Sequence, residues 1–385
     1  MKVCKIKDIG IIGTGTTPSM KNKEFYDSDD IMFIKPSDFI DNRITELSSS
    51  ISYISNKSRE KARIFPAGTV LCTCIGNIGK IAIVSKEASC NQQNNYIIPY
   101  KEFDSKYVAY SLLSQRKKME SIGANAPIVP IINKTEFSNI EIPVYDSSTQ
   151  IKIAHHLDTI QSAIDNKQQQ LKELDELVKS RFIEMFGENP VESGKWHVDK
   201  LDNICTEKSG EYGAASASVH FDKNRPRYVR ITDINEDGSL NDDFVSSINI
   251  NDDITYKLRF GDFLFARMGA TVGKTYAYLT GNQIFAGYLI RFKLNLSLLH
   301  PVFLFYYTKM SSYKKWVEEN QSGAAQPGIN AKRYGKLPIP VPPLSLQNEF
   351  AAFVQQIDKS KFVVKQQIKD LQELMDSKMQ EYFGG

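Results

Sequence analysis

Apolar positions along this chain keep two different rhythms. Between 153 and 178 they step by threes and fours, at Ile153, Leu157, Ile160, Ile164, Leu171, Leu174 and Val178, as the seam of a long heptad helix does. The rhythm returns at Phe350, Val354, Ile357, Val364, Ile368, Leu371 and Met375. Lys167 and Arg181 interrupt the first seam and Lys361 the second; where one copy puts Lys in the seam, the other has Val or Ile. Ser148 and Ser345 are the expected N-caps, the second just behind Pro342-Pro343, and Gly187 and Gly384 the expected stops. Each helix then spans about 36 residues, or roughly 54 Å. Equal lengths and complementary seams predict one antiparallel pair rather than two helices on separate cores.

The second rhythm is alternation. "RIFPAGTVLCTCIGNIGKIAIV" (63–84) and "YVRITDINEDGSLNDDFV" (228–245) read as short strands broken by turn residues. "KYVAYSLLSQRKKMESI" (106–122) and "PVFLFYYTKMSSYKKWVEE" (301–319) read as amphipathic helices. Both variable regions are therefore α+β.

Compared with itself, the chain repeats. At an offset of 197 residues, 142–187 aligns without a gap on 339–384, with 17 of 46 positions identical. Chance would give about three at average residue usage. Upstream, "PIIN" (130–133) meets "PGIN" (327–330), and Asn91-Gln92 meets Asn282-Gln283. "GTVLCTCIGNIGK" (68–80) meets "GDFLFARMGATVGK" (261–274), and "FIKPSD" (33–38) meets "YVRITD" (228–233). A period of nearly half the chain implies two similar domains related by pseudo-twofold symmetry rather than a solenoid.

Composition narrows the class. Across 385 residues, 41% hydrophobic and 24% charged residues are ordinary globular usage, with no apolar run long enough for a membrane span. The start, "MKVCKIKDIG", lacks the apolar core of a secretory signal. Five scattered cysteines, with Cys72 and Cys74 on one strand face and no second pair, suit core thiols rather than zinc, and a reducing, cytoplasmic compartment. A net charge of +3 permits nucleic-acid binding without demanding it.

The candidate chemistry lies in glycine- and amide-rich basic loops that recur in both halves. Asn and Gln pair bidentately with adenine and Arg with guanine, while Lys and glycine N–H groups suit phosphate. In the first half these loops offer Lys35, Asn77, Lys80, Asn91, Gln92, Asn133 and Lys134. The second half offers Tyr212, Arg230, Arg267, Thr271, Lys274, Asn282, Gln283, Gln326, Asn330, Lys332 and Arg333. Lys80 and Lys274 also suit solvated turns, and Asn91 and Asn282 turns closed by their own side chains. "MGATVGKT" (268–275) resembles a P-loop but has three residues, not four, between Gly269 and Gly273, and strand-like residues on both sides. No methyltransferase signature, nuclease-like carboxylate cluster or His-based metal or triad spacing stands out, so neither catalytic nor metal residues are expected.

Together these features resemble the specificity subunits of type I restriction–modification systems. "IPVYDSSTQIKIA" (142–154) and "IPVPPLSLQNEFA" (339–351) look like that family's junctions between a recognition domain and a long helix. "GEYGAASASV", "YVRITDI", "LFARMGATVGKT" and "GAAQPGIN" look like pieces of its recognition domains. The resemblance covers nearly the whole chain; Tyr145-Asp146, where the second junction has Pro342-Pro343, departs from it. It implies an α+β fold with two pseudo-twofold-related α/β target-recognition domains, 1–146 and 188–343. Two long antiparallel helices forming a coiled coil, 147–187 and 344–385, separate them. It further implies a non-catalytic subunit that binds double-stranded DNA at a bipartite target. The chain would hold two copies of a DNA adenine methyltransferase subunit, with nuclease–translocase subunits as further partners. S-adenosylmethionine, ATP and magnesium would belong to the partners, and none to this chain. A nucleotide-binding enzyme using 269–275, or a coiled-coil adaptor without DNA contacts, are the alternatives.

Overall fold

The structure is a computed structural model that describes residues 2–126, 128–323 and 327–384. The chain forms two compact units, 1–168 with 366–385, and 169–365. In the first, a five-stranded sheet runs in the order Gly10–Thr14, Asn94–Pro99, Val70–Thr73, Ile81–Val84, Ile44–Leu47. Its pairs are antiparallel except the last. Ile31–Ile34 joins Ala88–Cys90 in parallel and Tyr53–Ile54 antiparallel. Val70, Cys72, Ile81 and Ile97 share one core with Tyr107, Val108 and Leu112 of the helix Ser105–Ser114. Cys72 and Cys74 are core thiols, and burial pushes Cys74 up to about 11.

The second unit repeats the plan. Its four-stranded antiparallel sheet runs Glu211–Tyr212, Leu289–Lys293, Asp262–Ala266, Thr275–Ala277. Arg227–Val229 pairs in parallel with Gln283–Phe285. Lys2–Lys5 pairs with Glu141–Val144 in the first unit and His197–Lys200 with Pro338–Val341 in the second, so each segment ahead of a long helix begins and ends on one antiparallel pair. The stretches read as single amphipathic helices are each two shorter ones, Ser105–Ser114 with Arg116–Gly123, and Pro301–Tyr307 with Ser311–Asn320.

The long helices are Ser147–Phe186 and Leu344–Phe383, 40 residues each. They begin at 147 and 344, ahead of both expected caps, so neither Ser148 nor Ser345 is the cap. Asp146 instead accepts the Thr149 N–H at 3.0 Å and its hydroxyl at 2.6 Å, while Pro343 precedes the second helix. The carboxylate is the better acceptor for orphan N–H groups, and proline needs no donor partner at a helix start. Gly187 ends the first helix with φ +96°, its N–H donating to the Ile183 carbonyl at 2.8 Å, a backbone state that favours glycine.

Each unit packs a half of one helix against a half of the other. In the first, Ile153, Leu157, Ile160 and Ile164 are buried, and Phe383 lies 5.5 Å from the Tyr107 ring. In the second, Phe350 meets Phe182 and Phe186 at 5.4 and 5.6 Å, Arg181 pairs with Glu349 at 2.9 Å and Lys361 with Asp175 at 2.5 Å. Residue numbers rise on one helix as they fall on the other, so the pairing is antiparallel. Phe350, Val354, Ile357 and Val364 are buried, but Leu171, Leu174, Ile368 and Leu371 are only half-buried. The end positions gain cover from a folded domain; the middle of a two-helix pair is covered from one side only. No described helix is long and apolar enough to cross a membrane.

Candidate nucleic-acid interface

The glycine-rich loop at 269–274 is a hairpin turn. Asp262–Ala266 enters it and Thr275–Ala277 leaves it antiparallel, with Gly269 and Gly273 at φ +69° and +86°. A strand, not a helix, follows. The N–H groups of Gly269, Val272, Gly273 and Lys274 donate to the carbonyls of Pro327, Gly269, Ala266 and Thr271. Donors engaged in this way cannot form a phosphate cradle, which removes the P-loop alternative.

The first unit builds the same turn between Val70–Thr73 and Ile81–Val84, with Gly76 and Gly79 at φ +75° and +83°. Backbone hydrogen bonds fix the correspondence. The Gly76 N–H donates to the Pro130 carbonyl and that of Gly269 to Pro327; the Cys74 carbonyl accepts from Ile132 and that of Arg267 from Ile329. Cys74 and Arg267 therefore stand at one place in two copies of one framework.

Beside the second hairpin lies a cleft of about 500 Å³, lined among others by Ala214, Ser216, Arg230, Thr232, Arg267, Gly287 and Tyr288. Small residues make this volume. A Cβ at Gly213 would sit 2.4 Å from the Ala286 and Phe285 carbonyl oxygens, so this chain approaches the next as only glycine allows. The Tyr228 hydroxyl lies 2.7 Å from the Ala214 carbonyl, and burial pushes its pKa up to about 12.

The cations around the cleft differ. Arg230 is bound to Asp233 at 2.7 Å and Asp243 at 2.6 Å, and these carboxylates raise its pKa. Lys274 reaches Glu236 at 2.7 Å, which lowers the Glu236 pKa. Arg267 has no carboxylate partner among the described residues. Its guanidinium lies 4.9 Å from the Tyr212 ring centre and 5.7 Å from that of Tyr288, and its Nε–H donates to the Gly287 carbonyl at 3.1 Å.

A family model described as the type I restriction modification DNA specificity domain matches residues 1–176 and again 193–373. The chain belongs to this family. The specificity subunit of type I restriction enzyme MjaIX from Methanocaldococcus jannaschii is 26% identical over 401 residues, 97% of this chain and 90% of that protein. The HindI specificity subunit from Haemophilus influenzae is 31% identical over 186 residues, 46% of this chain and 40% of that one. Two solved structures share the fold. The S subunit of a type I restriction–modification system from M. genitalium has a TM-score of 0.58 at 14% identity, covering 99% of this chain and 96% of that one. A structure described as addressing complex assembly and conformational transition of the type I system has a TM-score of 0.61 at 16% identity, covering 99% and 97%.

In this specificity subunit, one alignment made from the sequence needs correction. Asn91 N–H donates to the Ile34 carbonyl, and the equivalent bond in the second domain runs from Ala286 to Val229. Asn91-Gln92 thus correspond to Ala286-Gly287, not to Asn282-Gln283. The repeated Asn-Gln pair follows a strand in one copy and straddles a strand's start in the other, so identity of letters misplaced the register. Asn282 is exposed, and Gln283 accepts from the Tyr276 hydroxyl at 2.9 Å.

The other candidates fall into two groups. Tyr212, Arg230, Arg267 and Thr271 gather at the cleft or its hairpin. Asn330, Lys332 and Arg333 lie on the adjoining turn, whose Ala331 N–H donates to the Tyr212 hydroxyl at 3.2 Å. Asn133 and Asn330 are the N-caps of short helices, accepting from Glu136 and Arg333 N–H at 3.0 and 2.9 Å. In the first domain Asn77 and Gln92 are exposed, Gln92 accepting from the Thr17 hydroxyl. Lys80 is half-buried in its hairpin, Lys134 is exposed, and Lys35 donates to the Ser52 hydroxyl at 2.9 Å. Asn91 is buried, its side chain bonded to Gln93 and Asn94. Gln326 lies outside the described residues.

Sequence reasoning missed two buried amides. Gln150 donates to the Tyr145 carbonyl at 2.8 Å and accepts from Asp104 N–H at 3.0 Å; Gln347 donates to Pro342 at 2.8 Å and accepts from His300 N–H at 2.8 Å. Each ties a long helix to the loop that starts a domain helix. Their signal was present: both are identical across the repeat and follow the junction.

Proposed function

We propose that this specificity subunit reads a bipartite target in double-stranded DNA, one half-site per recognition domain. The observation that carries the reading is the twofold occurrence of one hairpin-and-loop framework with different side chains at equivalent places. A shared framework suits a shared backbone approach to duplex DNA; differing side chains suit different bases. The candidate contacts are the loop residues named above other than the buried Asn91, in domains 1–146 and 188–343. The helices, 147–187 and 344–385, set an unread spacer and hold two copies of a DNA adenine methyltransferase subunit. Leu177, Phe362, Val363 and Leu374 expose apolar surface on them, which supports a platform role. Nuclease–translocase subunits are further partners. The chain is non-catalytic, and S-adenosylmethionine, ATP and magnesium belong to the partners.

The test exchanges residues 1–140 for the corresponding domain of another specificity subunit, co-expresses the chimaera with the methyltransferase and sequences the methylome. One half-site should change and the other persist. A single contiguous motif, or loss of both halves, refutes the reading.

A further inference from the structure

The cations of the second domain are not equivalent, and the difference points to a particular base. Arg230 and Lys274 are neutralised by carboxylates of their own domain. Arg267 is held without being neutralised. Its backbone is fixed at both ends, N–H to the Tyr288 carbonyl at 3.0 Å and carbonyl from the Ile329 N–H at 2.9 Å. The Tyr212 and Tyr288 rings lie 4.9 and 5.7 Å from its guanidinium, and the Gly287 carbonyl takes its Nε–H. That leaves the two terminal nitrogens as a planar pair of donors at a cleft open enough to admit a base edge.

We propose that Arg267 reads a guanine in the half-site of the second domain, an inference that rests on the DNA-reading function above. A planar pair of donors matches guanine O6 and N7, the two acceptors that guanine alone presents together in the major groove. A phosphate contact needs only a cation, and a flexible lysine serves it; a fork held against aromatic rings is useful where orientation matters. The fixed fork also loses less side-chain entropy on binding. At the equivalent place the first domain has Cys74, a buried thiol and weak donor, so the guanine contact belongs to the second half-site alone.

The experiment uses the full chain assembled with its methyltransferase subunits. The methylome defines the target, and affinities are then measured for every single-base variant of the second half-site at two salt concentrations. For the wild type, replacing one G·C pair should weaken binding roughly 5- to 150-fold. Arg267→Ala and Arg267→Met should each bind the original and replaced duplexes alike, while the first half-site keeps its discrimination. Arg267→Met keeps the apolar stem against the rings but has no donor, so it isolates the guanidinium even if the alanine variant folds poorly. Uniform loss across the panel, with a salt slope smaller by about one unit, would make Arg267 a phosphate contact and overturn the proposal. Unchanged discrimination, or relaxation at a position that is not G·C, would overturn it equally. A wild-type methylome without a bipartite motif would sink the underlying reading and this inference with it; a bipartite motif indifferent to Arg267 sinks only the inference.

Discussion

Phe350 is the residue on which helix and domain meet, and its truncation has a calculable cost. The side chain is fully buried in the second unit, with ring centres of Tyr306, Phe182 and Phe186 at 5.3, 5.4 and 5.6 Å. Phe350→Ala removes the transfer energy of a large side chain and leaves a cavity between rings that cannot all collapse inward, about 3–5 kcal/mol in comparable cores. Three edge-to-face contacts, each worth roughly 0.5–1.5 kcal/mol beyond burial, favour the upper part of that range. For a unit of roughly 200 residues, each kcal/mol lowers the melting temperature by about 2–4 °C, so a fall of about 6–20 °C is expected. The comparison variant is Phe362→Ala on the same helix. Phe362 is 72% exposed, and its loss should shift the transition by no more than about 2 °C. Scanning calorimetry of the full chain measures both. If Phe350→Ala melts no lower than Phe362→Ala, the helix root is not anchored by this aromatic cluster.

Two further outcomes follow from the same packing. Leu171→Asp and Leu371→Asp place a carboxylate on half-buried seam positions, where partial access to water limits the cost to roughly 1–3 kcal/mol; co-purification with the methyltransferase should fall, and undiminished recovery of two copies would contradict the paired-helix platform. His300 caps Pro301–Tyr307 through Nδ1, which accepts the Val302 N–H at 3.1 Å, and burial holds its pKa below 6.5. The unfolded chain takes up this proton first as pH falls. The cap's contribution is therefore complete above about pH 6.5 and is lost as pH drops through the lower folded value. His300→Asn keeps a cap acceptor that does not titrate, so its urea midpoint should change less than the wild type's between about pH 7.5 and about pH 5.5; an unaltered difference would show that other groups set the acid limb.

What was legible from the chain alone were the features that local periodicity and self-comparison encode. Heptad steps predicted both long helices and their seam, whose ends are buried and whose middle is half-buried, because a helix face is set by residues three and four apart. Gly269 and Gly273, with three residues between them and strand-like neighbours on both sides, argued against a P-loop, because that loop needs four intervening residues and a following helix. The offset of 197 residues exposed the duplicated plan, and the junction and loop motifs pointed to the family.

Tertiary structure decided which of the candidate side chains remain available. Arg230 and Arg267 look alike in sequence, yet Asp243 and Asp233 neutralise the first while two tyrosines hold the second, one of them 55 positions away in the chain. Asn91 suited either a base contact or a turn closed by its own side chain, and it is buried and closes the turn; Asn133 and Asn330 looked like base readers and cap helices. The true partner of Asn91 across the repeat emerged only from which carbonyl its N–H meets. Periodicity is local and survives in the string of residues. Ion pairing, burial and hydrogen-bond register depend on which distant strands and loops come together, and no local pattern carries that information.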